Sequence, residues 1–324
     1  MHPLIEQLTS LARTGRAPHL HGVVVLRHGT LVAEYYGVGE DFAWNASLGV
    51  LEFGPDMLHD VRSVTKSIIA LLYGIALDRG QVPAPDEPLL SQFPEYPDLA
   101  ADPSRAGITV EHALTMTLGL DWDESLPYTS AANSEIAMEL APDRHRFILE
   151  RPVVDVPGRQ WSYCGGATAL LGQLIRKGTG QRLEEFARGT LFAPMGIDSF
   201  EWMAGEDGVA SAASGLRLAP RALARIGQLV LDKGMDVVPT AWVDAVVRPR
   251  VRVDGRYSYG YQWYVAAEAG PFPWFAAMGN GGQRLFVVPD LEVVVAVSAG
   301  AYNSADQSVT PDAVFAEVVA ASTP

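Results

Sequence analysis

Several scarcities narrow what this chain can be. A single cysteine, Cys164, stands in 324 residues, so no disulfide can form within the chain and a reducing compartment suits it. Asp and Glu outnumber Lys and Arg by 38 to 24, a net charge of −14. That balance counts against nucleic acid or an anionic membrane surface as the partner. No run of roughly eighteen apolar residues occurs, so no transmembrane helix is expected. The opening stretch, MHPLIEQLTSLARTGRAPH, lacks the uninterrupted apolar core of a signal peptide, and the expected location is the cytoplasm. No P-loop, no G-x-G-x-x-G behind a strand and no G-x-S-x-G is present. The histidines (His2, His19, His21, His28, His59, His112, His145) show no H-E-x-x-H or other metal spacing. No metal and no other cofactor is expected.

What is present is a large apolar fraction, 48%, enough for a sizeable core in one large or two interlocked domains. Its most apolar stretch lies within residues 59–79, HDVRSVTKSIIALLYGIALDR. From Val64 to Leu77 it reads as a helix with almost no polar face, which belongs inside a protein. Ser63 sits where that helix begins. Lys66, one of only three lysines in the chain, follows at i+3 on the same face. The pair suits nucleophilic catalysis, because a serine hydroxyl needs a base beside it and an apolar setting favours a neutral amine. A free N–H and the positive helix end also suit a developing oxyanion. A serine in this place is equally a favoured N-cap, so the pattern alone leaves both roles open.

Taken in order, the chain begins with an amphipathic helix at 3–13 and a hairpin, 21–26 with 30–37, turning at Arg27-His28-Gly29. Residues 38–60 read as irregular. Between 84 and 200 the pattern is helices and loops, including 109–120, a polar loop 121–135, a helix to about 149, and 166–180. Helices follow at 219–232 and 240–247, then strand-like runs at 257–266, 273–279, 283–289 and 291–300, and a last helix at about 306–320. Strands at the two ends of the chain must pair around a helical middle. The expected fold is therefore α+β, an α/β sandwich with an antiparallel sheet. Residues 1–83 and 201–324 would form its body and 84–200 a helical domain, with the active site in the cleft between them.

Two further stretches carry possible chemistry. In GRQWSYCGGATALLG (158–172), Tyr163 precedes a helix start; a phenol beside a lysine can carry a proton, though a packed aromatic would look the same. Cys164 reads as a small buried side chain. In FAAMGNGGQRLFVVPDLEVVV (275–295), Asn280-Gly281 is a strong turn signal, and the glycines would also let a strand edge present a backbone N–H to a substrate. His59 reads as structural.

Ser63-Val64-Thr65-Lys66, then Tyr163, then a Gly-rich strand near the C-terminus: this order resembles the serine β-lactamase and penicillin-binding-protein superfamily, whose S-x-x-K carries the nucleophile. The likeness covers nearly the whole chain. It is greatest to class C-type esterases and 6-aminohexanoate-dimer (nylon oligomer) hydrolases, through RSVTKS, LTMTLGLDWDE, WSYCGGATALLG and GNGGQRLFVVPDLEVVV. The resemblance implies a helical domain against a flanked antiparallel sheet, with Ser63 as nucleophile and Lys66 and Tyr163 sharing the acid–base work. It implies an oxyanion hole from the Ser63 N–H and a second backbone N–H. Equating Ala277-Met278-Gly279 with the family's Lys-Thr-Gly makes Asn280 that donor; the other register makes it Gln283. Gly165, Gly279, Trp122 and Tyr128 are the expected substrate-binding residues.

Two departures bear on substrate. The family's Tyr-x-Asn is here Tyr163-Cys164-Gly165, and the cation of its third motif is absent in either register. The function these features imply is a serine hydrolase acting through an acyl-enzyme on small esters or linear amides. A β-lactamase or D-amino-acid peptidase is the alternative. A catalytically silent binding protein on the same scaffold is the alternative of another class. Residues 273–283 offer no Lys, His, Ser or Thr to a substrate carboxylate, and strand alternation is expected to turn Arg284 away. On that ground short-chain p-nitrophenyl esters should be turned over at least about ten times more efficiently, in kcat/KM, than penicillin G or nitrocefin.

Overall fold

A computed structural model of the protein describes residues 3–267 and 270–323. Its strands are β1 (Leu20–Arg27), β2 (Thr30–Tyr36), β3 (Val38–Ala43), β4 (Ala46–Glu52), β5 (His59–Asp60), β6 (Glu201–Trp202) and β7 (Leu216–Leu218) in the first part of the chain. They continue with β8 (Val251–Arg252), β9 (Ser258–Tyr259), β10 (Tyr264–Ala266), β11 (Trp274–Gly279), β12 (Gln283–Val288) and β13 (Val293–Ala299). The main sheet runs β2-β1-β13-β12-β11-β10-β9-β8 and is antiparallel throughout. The N-terminal hairpin thus joins the C-terminal strands through β1 and β13, in the register Val23↔Val297.

Both faces of this sheet are covered, which explains why residues 285–288 of β12 and 293–297 of β13 read as unbroken apolar runs rather than alternating ones. Val23, Val25, Val293, Val295 and Val297 pack with Leu4, Leu8 and Leu11 of the first helix and Val314 and Val318 of the last. Val24, Val287, Val294 and Ala296 face the opposite core, which holds the helix Val64–Asp78. In that helix every residue from Val64 to Ala76 is buried, as its lack of a polar face requires. Such an α-on-sheet-on-α layering belongs to the α+β class. Among the described residues no helix is long and apolar enough to cross a membrane.

The structure departs from the sequence reading in three places, each with a local cause. Residues 38–60 hold the hairpin β3–β4, turning at Trp44-Asn45; β4 is largely exposed, so no core-facing alternation marks it. The helix expected over 109–120 covers only Val110–Leu114. The carbonyls of Ala113 and Leu114 accept from Gln262 Nε2 (2.9 and 3.2 Å), and Met116 at φ +56 turns the chain away. The same Gln262, at φ +60 with its N–H on Leu114 O, splits 257–266 into β9 and β10.

Candidate active site

The helix Val64–Asp78 is entered through a constrained turn. Arg62 has φ +50, and its backbone N–H donates to Asp60 Oδ1 (2.9 Å). Its guanidinium lies 3.1 Å from Asp60 Oδ2, bonds Trp44 O and covers the Tyr302 ring. Ser63 follows with helical φ and ψ, and its side chain caps nothing. The Ser63 hydroxyl instead accepts from Lys66 Nζ at 3.1 Å. Among the described residues its backbone N–H has no acceptor.

Lys66 is 2% exposed, yet its surroundings are not purely apolar. Nζ also donates to Glu135 Oε2 (3.1 Å) and Ala213 O (2.8 Å). Three acceptors place all three hydrogens of an ammonium, and one acceptor is a carboxylate. The expectation of a hydrophobic setting around the amine is corrected by Glu135. The Tyr163 ring stands 5.0 Å from Nζ. Its phenol is held well above the ordinary tyrosine range, by burial first, then by the charges of Glu124 and Glu135, while the Ser63 hydroxyl within its reach pulls it back.

Glu124 is the second carboxyl of this cluster. It accepts from the Gly165 N–H (2.6 Å), Trp122 Nε1 (2.5 Å) and the Tyr128 hydroxyl (2.8 Å). Burial, and then the charge of Glu135, push its pKa up to about 7. An acid whose folded pKa exceeds its unfolded value binds extra protons in the folded state between the two. Its contribution to stability is therefore lost as pH rises from about 4.5 to about 7. Glu124→Gln should flatten the fall in melting temperature across that window relative to wild type. An unchanged slope would mean that Glu124 ionises normally.

These carboxyls account for the departure at Gly165. A Cβ there would lie 2.2 Å from Glu135 Oε2 and 3.1 Å from Glu124 Oε1. The space a side chain at position 165 would enter is filled by Glu135, which reaches Lys66.

Across from Ser63, β11 ends against the entry turn. A Cβ on Gly279 would meet Val61 O at 2.5 Å, so this close approach needs glycine. It brings Asn280 beside Ser63, and the Asn280 N–H has no acceptor among the described residues. The Asn280 side chain accepts from Asn303 N (3.0 Å), and Gly281 N donates to Gln307 Oε1 (3.0 Å), which fixes the turn. Gln283, the donor of the other register, stands in β12 opposite Gly279 in the β11–β12 ladder, and its side chain bonds Ala299 O and N (2.5 and 3.3 Å).

Ser63, Tyr128, Tyr163, Gly279 and Asn280 line one cleft of about 450 Å³, with Lys66 behind Ser63. Trp122 and Gly165 do not line it; both are buried donors to Glu124. Tyr128 ties the 121–135 loop across the opening: its carbonyl accepts from Asn45 Nδ2 (3.1 Å) and its N–H donates to Asn303 Oδ1 (3.3 Å). Tyr128→Phe should alter KM, since it frees Glu124 and loosens the cleft wall; unchanged KM on several esters would make Tyr128 a bystander.

Two residues were missed and a third, Arg284, was assigned to the wrong face. Glu124 and Glu135 sit in a stretch that reads as a polar loop, and a glutamate just after the cap Asn133 is ordinary at a helix start. Arg284 lies in the cleft wall, because its partner across β11–β12 is Met278, which also faces the cleft. That placement removes the premise on which carboxylate-bearing substrates were expected to be disfavoured. A separate buried group, His21, Asp41 and His59, gathers ligand atoms within 4.8 Å of one another from three strands. They bond each other, His21 Nδ1 to His59 Nε2 at 2.9 Å, with Tyr302 donating to Asp41 (2.9 Å). Burial first lowers both imidazoles to about 3, so they stay neutral behind the Arg62 turn.

The chain is 26% identical over 297 residues to a 6-aminohexanoate-dimer hydrolase of Paenarthrobacter ureafaciens, covering 84% of this chain and 70% of that protein. It is 29% identical over 150 residues to esterase EstB of Burkholderia gladioli, covering 44% of this chain and 38% of that one. Its fold matches EstCE1, a hydrolase with promiscuous acyltransferase activity, with a TM-score of 0.78, 15% identity and coverage of 96% of this chain and 98% of that one. A family profile described as Beta-lactamase matches residues 8–318, nearly the whole chain, and the protein belongs to that family.

Proposed function

We propose that the protein is a serine hydrolase that cleaves small esters or linear amides through an acyl-enzyme. The observation that carries this reading is the 3.1 Å hydrogen bond from Lys66 Nζ to a Ser63 hydroxyl that caps no helix. The relative named as an esterase supports ester substrates, and the one named as a 6-aminohexanoate-dimer hydrolase supports linear amides.

Ser63 Oγ attacks the substrate carbonyl, forming the O–C bond. Lys66 takes the Ser63 proton as it releases one of its own to Glu135, 3.1 Å away. The oxyanion is held by the Ser63 and Asn280 N–H groups, each such donor being worth roughly 10²–10³ in rate. Tyr163, kept protonated by its raised pKa, gives its proton to the departing alkoxide or amine as the C–O or C–N bond breaks. Water then attacks the acyl-Ser63, its proton returning through the same groups, and the acid leaves. Every group in this sequence belongs to the chain, so no cofactor is called for. The lone buried cysteine and the acidic charge fit work in the cytoplasm on a small molecule.

Tyr163→Phe should lower kcat by about 10²-fold or more, with amides suffering more than activated esters whose leaving groups need no proton. Equal retention on both would leave Tyr163 as packing. The reading itself is tested by incubation with a fluorophosphonate probe and peptide mass spectrometry. The adduct is expected on Ser63; labelling elsewhere, or none, would overturn it.

A further inference from the structure

Behind the entry turn lies a polar cluster that its own hydrogen atoms do not satisfy. His21 of β1, Asp41 of β3 and His59 of β5 come from three different sheets, and each is 1% exposed or less. His59 Nδ1 is 3.2 Å from Asp60 O, a partner that accepts only an N–H. In a neutral ring that leaves His59 Nε2 bare. His21 Nδ1, 2.9 Å away, can give it one hydrogen. Asp41 Oδ1, 3.3 Å from the same Nε2, gives none, so a nitrogen lone pair faces a carboxylate oxygen. Among the described residues, Asp41 has Tyr302 as its side-chain donor (2.9 Å), no Lys or Arg nitrogen within 4.0 Å, and a buried Oδ2 with no partner.

A buried carboxylate with so few donors is costly, and a cation among these atoms removes that cost. A zinc ion bound at about 2.0–2.2 Å holds its ligand atoms about 3.3 Å apart. Here the neighbouring ones are 2.9 and 3.3 Å apart, and all lie within 4.8 Å. His59 Nδ1 on a backbone carbonyl is the outer contact that orients a ligating imidazole. The His21 ring stacks on Phe53 (4.1 Å) and fits because Gly39 and Gly300 lack side chains; a Cβ on either would lie 2.4 to 2.6 Å from it. We propose that His21 Nδ1, His59 Nε2 and the two oxygens of Asp41 bind one divalent transition-metal ion, best matched by zinc. Two imidazoles suit zinc over calcium or magnesium, which take oxygen ligands. On binding, the His21 proton moves from Nδ1 to Nε2. The ion is structural and is taken up as the chain folds. Tyr302 stacks over His59, carries the Arg62 guanidinium 4.7 Å above its ring and abuts Gly281. The ion thus braces the two turns that present Ser63 and Asn280, and takes no part in the reaction.

The test counts metal in the whole protein, freed of any affinity tag, after growth with added zinc and passage over a chelating resin. About one zinc per chain is expected. Stripping it with a strong chelator should lower the melting temperature by about 5 °C or more. Growth with cobalt instead should give the visible absorption of a four-coordinate site. Asp41→Asn and His59→Gln should each abolish retention, while His28→Gln, at an exposed histidine, should leave it unchanged. If the buried variants fail to fold, anomalous diffraction from wild-type crystals at the zinc edge decides, with a peak expected between His21, Asp41 and His59. Little or no zinc in the wild type, or a peak elsewhere, would overturn the site and leave His59 and Asp41 joined by a proton. Zinc kept by a folded Asp41→Asn would overturn it as well.

Discussion

Ser63→Ala is expected to lower ester hydrolysis by about 10⁴-fold or more while leaving the fold intact. Losses of that size follow when the nucleophile of a coupled group is removed, because the remaining groups have nothing to activate. The fold should survive because the hydroxyl caps no helix and engages only Lys66 Nζ and the Tyr163 phenol. Lys66 keeps Glu135 and Ala213 O. One lost hydrogen bond of this kind costs about 1 kcal/mol, against the several kcal/mol by which a domain is stable. Initial rates on p-nitrophenyl esters, with thermal unfolding beside them, check both halves. Near-normal turnover in a folded Ala variant would remove Ser63 from the mechanism.

The second large effect concerns the buried pair behind the nucleophile. Lys66→Ala should lower kcat by about 10²-fold or more, and should also destabilise the protein by about 3–5 kcal/mol, as breaking a buried ion pair does. It leaves Glu135 and Glu124 near each other with no lysine between them. Glu135→Gln keeps a hydrogen-bond acceptor for Nζ but no charge, so it should cost less stability and still slow the reaction. The double variant should be little slower than Lys66→Ala alone, since the two residues move one proton. Full activity in Glu135→Gln would reduce Glu135 to a counter-charge and leave Lys66 to accept the serine proton unaided.

What the sequence made legible was whatever depends on a short, regular pattern. The buried helix after Ser63 shows in its missing polar face, and β1, β2, β11, β12 and β13 in their apolar runs. Ser63 and Lys66 meet because i and i+3 always do on a helix. What stayed hidden depends on contacts between distant segments. Glu135 reaches Lys66 from 69 residues away, through a loop whose path no local periodicity encodes. The short helix at 110–114 stops because Gln262 takes its last carbonyls from nearly 150 residues downstream. Arg284 was misassigned for a simpler reason: alternation gives two faces, and nothing in the strand alone says which of them meets the cleft.

The central claim is an acyl group carried on Ser63, and it is best tested within the first turnover. The enzyme is mixed with excess p-nitrophenyl acetate, quenched in acid after milliseconds to seconds, and digested for peptide mass spectrometry. The account predicts a burst of p-nitrophenol matched by one acetyl group on the peptide that holds Ser63, disappearing as substrate is exhausted. An acetyl group found on another residue, or steady turnover with Ser63 unmodified at every quench time, would contradict it.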